Sequence, residues 1–335
     1  MVTLQQVADK AGVSLSTASR VVNGYKNVNE DTRRKVFQAI QDLNFVIYES
    51  KHFAQRKVIA TVIPKKIGNN MDLYNITYKV LSGITRKCNE AKICNMLILT
   101  EENDFDFSEV YSENIGAFIF VSSGPFEENT VIPLLQNLNV PIVVVNREME
   151  NKNISFVDVD DKEACKSAVD YLIGTGHKKI AYVNRTVEVK SSNEKLEGYK
   201  EALLQHNIQI DDSLVHLCEE DADRAAEMAV NQFVAKENMP DAIMTDSDIL
   251  AIAIISQLKK KGISVPEDIS VIGIGDMEST ALFTPSLTTV RFFAEKMGEE
   301  ATDIVIRLTK DKERSSIHSY MKYELVKRES VKERK

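Results

Sequence analysis

At 335 residues the chain is long for a single core and suits two or three domains. Its net charge of −8 excludes a protein coated along its whole length by nucleic acid, but that charge is unevenly placed. Residues 1–60 carry nine Lys/Arg against five Asp/Glu and the remainder 33 against 45, so a basic head precedes an acidic body and nucleic-acid contact belongs to the head.

In chain order, Leu4, Val7, Ala8 and Ala11 fall at i, i+3, i+4 and i+7, one face of a helix that Thr3 caps and whose capping box Gln6 completes. Gly12 supplies the sharp turn that follows, and Ser14 is the N-cap of a second helix over 15–22. Asn29 caps a third, with Glu30 and Asp31 at its positive end and Val36, Ala39, Ile40 and Leu43 repeating the stripe. Three stripes make one small core, a helix-turn-helix whose second helix leaves its first side chains free for a major groove. Arg20 can pair with guanine O6 and N7, Ser16 with several bases, and Leu15 can touch the thymine methyl. Geometry alone leaves a second reading open, a small helical bundle capping an enzyme.

Residue detail narrows the choice. Val7-Ala8, Ala11-Gly12-Val13-Ser14, Thr17-Ala18-Ser19-Arg20-Val21-Val22-Asn23-Gly24, Val28 and Thr32-Arg33 resemble the N-terminal domain of the lactose-repressor (LacI/GalR) family of bacterial transcription regulators. The resemblance covers the whole segment. It implies a DNA-binding headpiece working as a symmetric homodimer on a near-palindromic double-stranded operator. The residues it places on DNA are Thr3, Leu4, Ser14, Leu15, Ser16, Thr17, Ser19, Arg20 and Asn23, with Lys26, Asn29 and Arg33 near phosphates. A repressor and an activator share every one of these motifs.

Residues 46–57, VIYESKHFAQRK, connect the head (1–45) to the body (58–331). The family's connector starts Pro-Asn and continues as an alanine-rich helix with a leucine that wedges into the minor groove. This chain is shorter there and lacks both features. Phe53 is the nearest apolar candidate for a wedge, since an inserted Phe can partly unstack a base step. Packing of Phe53 on the body stands beside that reading.

From residue 58 the pattern changes to short β-branched runs alternating with helices. Strands are expected at 58–63, 95–99, 117–121, 142–145, 179–183, 242–245 and 270–274, and helices at 74–89, 128–138, 162–173, 194–206, 224–235 and 249–260. Such alternation implies parallel sheets with right-handed crossovers in two successive units, doubly wound lobes facing each other across a cleft. The resemblance continues through PIVVVNR at 141–147, GHKKIA at 176–181, VPEDISVIG at 265–273 and TPSLTTV at 284–290. It implies an α/β, two-lobed, periplasmic-binding-protein-like domain that binds a small-molecule effector between its lobes. By position the chain crosses between lobes near Asn146, near Arg291 and around Ser315, giving lobe 1 about 58–146 and 292–315 and lobe 2 about 147–291 and 316–331.

Carried over one position at a time, the family's cleft residues fall on Tyr74, Asn146, Arg147, Asp160, Lys195, Glu219, Ser247, Asp248 and Asp276. Lys195 stands where the family commonly has an arginine before Leu-x-Gly-aromatic, keeping the charge without the planar fork. Glu219, beside Glu220 and Asp221, stands where an aromatic residue often stacks on the ligand. Gly275 holds the place of the family's aspartate, and the acid is displaced to Asp276. Acids converging on a partly desolvated cleft favour a sugar carrying a positive group, such as an amino sugar. Acids solvated at the rim of an acidic protein are the other reading.

Catalysis finds no motif: there is no Gly-x-Ser-x-Gly elbow, phosphate-binding glycine loop or His-Glu-x-x-His. His177 reads as a hydrogen-bonded structural residue before a strand, and Asp246 with Asp248 has no acid-base partner spaced beside it. Cys88, Cys94, Cys165 and Cys218 show no CxxC pairing, so no metal or cofactor is expected and the thiols read as reduced. With neither a signal-peptide core nor an apolar run near the ~20 residues of a membrane helix, the expected place is the cytoplasm. A solute-binding protein or a sugar-modifying enzyme on the same two-lobed body is the competing class.

Overall fold

The computed structural model describes residues 2–23, 25, 28–43, 45, 58–64, 71–100, 115–121, 140–184, 190–219, 221–234, 239–311 and 315–334, with backbone only at 64, 71–74 and 100. The connector with Phe53, Lys26 and the helix expected at 128–138 lie outside the described residues.

Three helices build the head: α1 (Leu4–Ala11), α2 (Leu15–Val22) and α3 (Glu30–Asp42). Thr3 and Gln6 form the capping box of α1, Gly12 ends it at φ 68°, and Ser14 and Asn29 cap α2 and α3. Val7, Ala8, Ala18, Val21, Val36 and Ile40 are buried together, and a 3.0 Å ion pair of Lys10 with Asp42 ties α1 to the end of α3.

The body follows as β1 (Val58–Pro64), α4 (Met71–Glu90), β2 (Cys94–Thr100), β3 (Ile115–Val121), β4 (Ile142–Val145), β5 (Ser155–Val159), α5 (Asp161–Gly174), β6 (Ile180–Asn184), α6 (Lys190–Gln205) and β7 (Val215–Leu217). Then come α7 (Ala222–Val234), β8 (Ala242–Thr245), α8 (Asp248–Lys260), β9 (Ser270–Gly275), β10 (Thr288–Phe292), α9 (Ala294–Lys310), β11 (His318–Met321) and β12 (Tyr323–Val326). They form two six-stranded sheets, ordered β11-β5-β4-β3-β1-β2 and β12-β10-β9-β8-β6-β7. Pairing from β1 to β5 and from β6 to β10 is parallel, and β12 joins β10 antiparallel. Central strands such as β4, β6 and β8 are buried along their length, as expected of parallel strands covered on both faces.

The chain divides into two compact units, one of residues 1–67, 79–158 and 295–319 and the other of 68–78, 159–294 and 320–335. The crossings placed by position near Asn146, Arg291 and Ser315 thus compare with divisions after 158, 294 and 319. The first differs most because β5 pairs with β4, Val157 opposite Val145, and keeps the chain in the first unit for one more strand. In the second unit α5 and α6 pack so closely that a Cβ on Gly198 would lie 2.2 Å from the Lys162 carbonyl oxygen. Among the described residues no helix is long and apolar enough to cross a membrane.

Candidate functional site

In the head, α2 turns Ala18 and Val21 inward and leaves Leu15, 45% exposed, with Ser16 and Arg20 on its outer face. Ser14 fixes where that face begins: its Oγ accepts from the Thr17 amide at 3.1 Å and lies 2.9 Å from Ser16 Oγ and 2.8 Å from Thr17 Oγ1. Asn23 closes the helix, donating through Nδ2 to the Ser19 carbonyl at 2.7 Å and reaching Ser19 Oγ at 3.2 Å. Asn29 accepts from the Thr32 amide at 2.8 Å. Thr3 is taken up in the capping box, and Leu4 is half-buried against the head's core. Most of the polar residues expected on DNA are therefore also the pins that hold the helices, and the residues of α2 itself that stand exposed are Leu15, Ser16 and Arg20.

Arg33 differs from its expected place near a phosphate. It is 5% exposed on α3, and its Nη2 donates to the Tyr25 carbonyl at 3.2 Å, holding the segment that follows α2. The family resemblance placed it near a phosphate. The i+3 relation to Val36 and i+4 to Phe37 puts it on the inward side of α3, where the hydrogen bond of its guanidinium to Tyr25 offsets part of the cost of burial.

In the first unit, Asn146 ends β4 at φ 67° with its amide donating to the Val157 carbonyl, and Arg147 follows half-buried. Tyr74 lies on α4, in the stretch 68–78 that belongs to the second unit, its side chain outside the described residues. The second unit holds the other expected effector residues. Asp160 is the exposed N-cap of α5, accepting from the Glu163 amide at 2.9 Å. Glu219 is exposed after β7, and Ser247 caps α8.

Two of the acids expected to converge on a cation are satisfied inside the fold. Asp248, the first residue of α8, is fully buried, accepting from the Thr289 hydroxyl and from the Met277 amide at 2.8 Å. It fills the space that a side chain at 273 would need: a Cβ on Gly273 would lie 2.5 Å from Asp248 Oδ1. Asp276 is gripped by Arg291 Nε at 2.6 Å and Arg328 Nη2 at 2.5 Å. Burial alone would push the Asp276 carboxyl up, but the hydrogen bonds and charges of Arg328 and Arg291 outweigh it and hold it below the ordinary value.

What brings chemistry together instead is Lys195, one of the expected effector residues, with Asp161, which was not among them. Lys195, its side chain 14% exposed, stands 3.5 Å from Asp161, the first residue of α5, with Asp246 close behind β8. Burial weakens the hold of Lys195 on its proton, yet the charges of Asp161 and Asp246 outweigh it and raise its pKa. Burial raises the Asp161 carboxyl, against the pull of Lys195. The signal in the sequence was the doublet Asp160-Asp161: the first caps the helix and the second turns inward. His177 is 1% exposed between the Leu172 carbonyl (2.9 Å) and Ser270 Oγ (2.8 Å), and burial lowers its pKa, which suits a neutral structural ring.

Residues 3–46 match the family model of bacterial regulatory proteins, lacI family, and residues 169–331 match that of the periplasmic binding protein-like domain. The HTH-type transcriptional repressor PurR of Photobacterium profundum is 28% identical over 99% of this chain and 99% of its own length. Among solved structures, the transcriptional regulator CelR–cellobiose complex is similar at 25% identity and a TM-score of 0.72, covering 98% of this chain and 100% of that one. The lac repressor dimer bound to operator and the anti-inducer ONPF shares the fold at a TM-score of 0.69 and 21% identity, over 99% of each chain. With the head, the two sheets and these relatives in agreement, the chain carries a lacI-family head and a periplasmic binding protein-like body and is similar over its length to regulators of that kind: a DNA-binding transcription regulator under effector control rather than an enzyme.

Proposed function

We propose that the protein acts as a homodimer on a two-fold operator, with a head of 1–45, a connector of 46–57 and an effector body of 58–331. Leu15, Ser16 and Arg20 read base edges, and Lys26 and Asn29 lie near phosphates. The observation that carries this is the capped α2, which buries Ala18 and Val21 and leaves those three side chains outward. One head buries too little surface for a strong site, and the operator-bound lac repressor is a dimer. The effector is a sugar, a reading supported by the cellobiose held by the CelR relative, and the direction is repression, as in the PurR relative.

In gel-shift titration at fixed salt against operators selected from genomic DNA, Arg20→Ala weakens specific binding by about 1–3 kcal/mol, the cost of a lost bidentate arginine–guanine contact. Equal binding by the variant overturns the base-reading assignment. Light scattering that finds a monomer both free and on DNA overturns the dimer.

A further inference from the structure

We infer that the second unit recognises its effector through the buried Asp161–Lys195 pair as a hydrogen-bond donor, a hydroxyl or an ammonium, and excludes anionic effectors such as sugar acids and sugar phosphates. This rests on the sugar reading above. The strand order of the second sheet reverses between β6 and β8, and ligands of doubly wound sheets bind outside the carboxyl ends of the strands at such a reversal. Four polar residues sit on elements that begin or end at that edge: Asn184 ends β6, Asp246 follows β8, Asp161 opens α5 and Lys195 lies in the second turn of α6.

Asp161 is 7% exposed, and its Oδ1 accepts a hydrogen bond from no described residue. Lys195 Nζ, at 3.5 Å, is near enough to pair the charges and too far for a well-formed hydrogen bond. A buried carboxylate oxygen without a donor is uncommon in a folded protein and marks a place where another group comes in.

Charge balance then decides which group. A lone buried lysine would draw an anion. Here Asp161 cancels Lys195, and Asp246 adds to the negative field that keeps the lysine protonated. An incoming carboxylate or phosphate would shed its hydration and meet no net positive charge, which leaves its desolvation uncompensated. A hydroxyl donates to Asp161 Oδ1 without that cost. An ammonium donates as well, with the carboxylate as its counter-charge.

Calorimetry on the full chain tests this with glucose, galactose, mannose and cellobiose, each set against its aminated, uronic-acid and 6-phosphate relatives. The expected result is binding of a neutral or aminated member, with its acids weaker by at least about tenfold, the order expected from a hydrogen bond to a charged group. Asp161→Asn leaves Lys195 unbalanced, so the acid gains at least about tenfold relative to its neutral parent. In Asp161→Asn/Lys195→Gln that gain disappears. Should Asp161→Asn fail to melt cooperatively, Lys195→Gln serves instead, and the aminated member gains by the same order. An acid as the tightest wild-type ligand, or an unchanged acid-to-neutral ratio in a folded variant, overturns the inference and leaves the sugar reading standing. If no member of the series binds, the sugar reading falls and takes this inference with it.

Discussion

Arg33 shows how much one side chain's direction decides. Its guanidinium holds the Tyr25 carbonyl beneath the segment leading out of α2, so its effect on DNA binding is indirect. Arg33→Met removes a hydrogen bond from a charged donor and costs the head on the order of 1.5–3 kcal/mol. Operator affinity falls with it, but the slope of log affinity against log salt stays that of the wild type. A slope smaller by about 0.9 would instead reveal a lost phosphate contact, the role its sequence position suggested. Asp276 makes a second prediction at this scale. Its folded pKa is depressed, so it stabilises the native state above its unfolded value of about 3.9, and that contribution is lost as pH falls through the lower folded value. Arg328→Met removes one of the two clamps, so the stability gap between variant and wild type is widest near neutrality and narrows once pH drops below about 4. Urea midpoints measured between neutral and strongly acid pH check this, and a gap that does not vary with pH would refute it.

At the scale of elements, the head was legible almost to the residue. Its caps, Thr3, Ser14 and Asn29, are local chemistry, and the apolar stripes at helical spacing face a core made by the same forty-odd residues. The strands β1, β3, β4, β6, β8 and β9 were legible for a similar reason, since each is a short, largely apolar run containing Ile or Val and buried along most of its length. What escaped was β5, β7 and β10 to β12. These are short or carry polar residues such as Asp158, His216, Arg291 and Glu324, and they exist because neighbouring strands pair with them. The Leu-x-Gly-aromatic motif on α6 was visible as a family signature, but its reason appears only in the packing of α5 on α6. A helical Gly→Ala change ordinarily stabilises by up to about 1 kcal/mol. Gly198→Ala instead destabilises, by about 1–3 kcal/mol, because the new methyl would overlap the Lys162 carbonyl unless the helices move apart. A raised melting temperature would show that the α5–α6 contact has room.

For the molecule as a whole, the second unit is assembled from distant pieces of the chain, and its last segment closes it. Arg328 Nη1 donates to the Leu287 carbonyl at 2.7 Å, the Ser330 amide to the Ser286 carbonyl at 2.9 Å, and the Val271 amide back to the Ser330 carbonyl at 2.9 Å. Ser330 is fully buried, its Oγ donating to the Val271 carbonyl at 2.6 Å and accepting from the Thr288 amide at 2.8 Å. Farther on, Lys332 pairs with Glu267 at 2.6 Å and the Arg334 amide donates to the Thr175 carbonyl at 2.7 Å. Residues near the start of β9, the end of α5 and the loop before β10 are thus joined through one short stretch, 328–334, that follows β12. Ser330→Ala strands the Thr288 amide and the Val271 carbonyl in the interior, a cost of about 1–3 kcal/mol for each buried group left unsatisfied. For a unit of this size each kcal/mol lowers the melting temperature by about 2–4 °C. Differential scanning calorimetry of the full chain should therefore show the effector-body transition shifted down by several degrees, and deletion from Arg328 onward should remove that transition. An unshifted transition in Ser330→Ala, or a deletion that still melts cooperatively at the wild-type temperature, would mean that the second unit is complete without its tail.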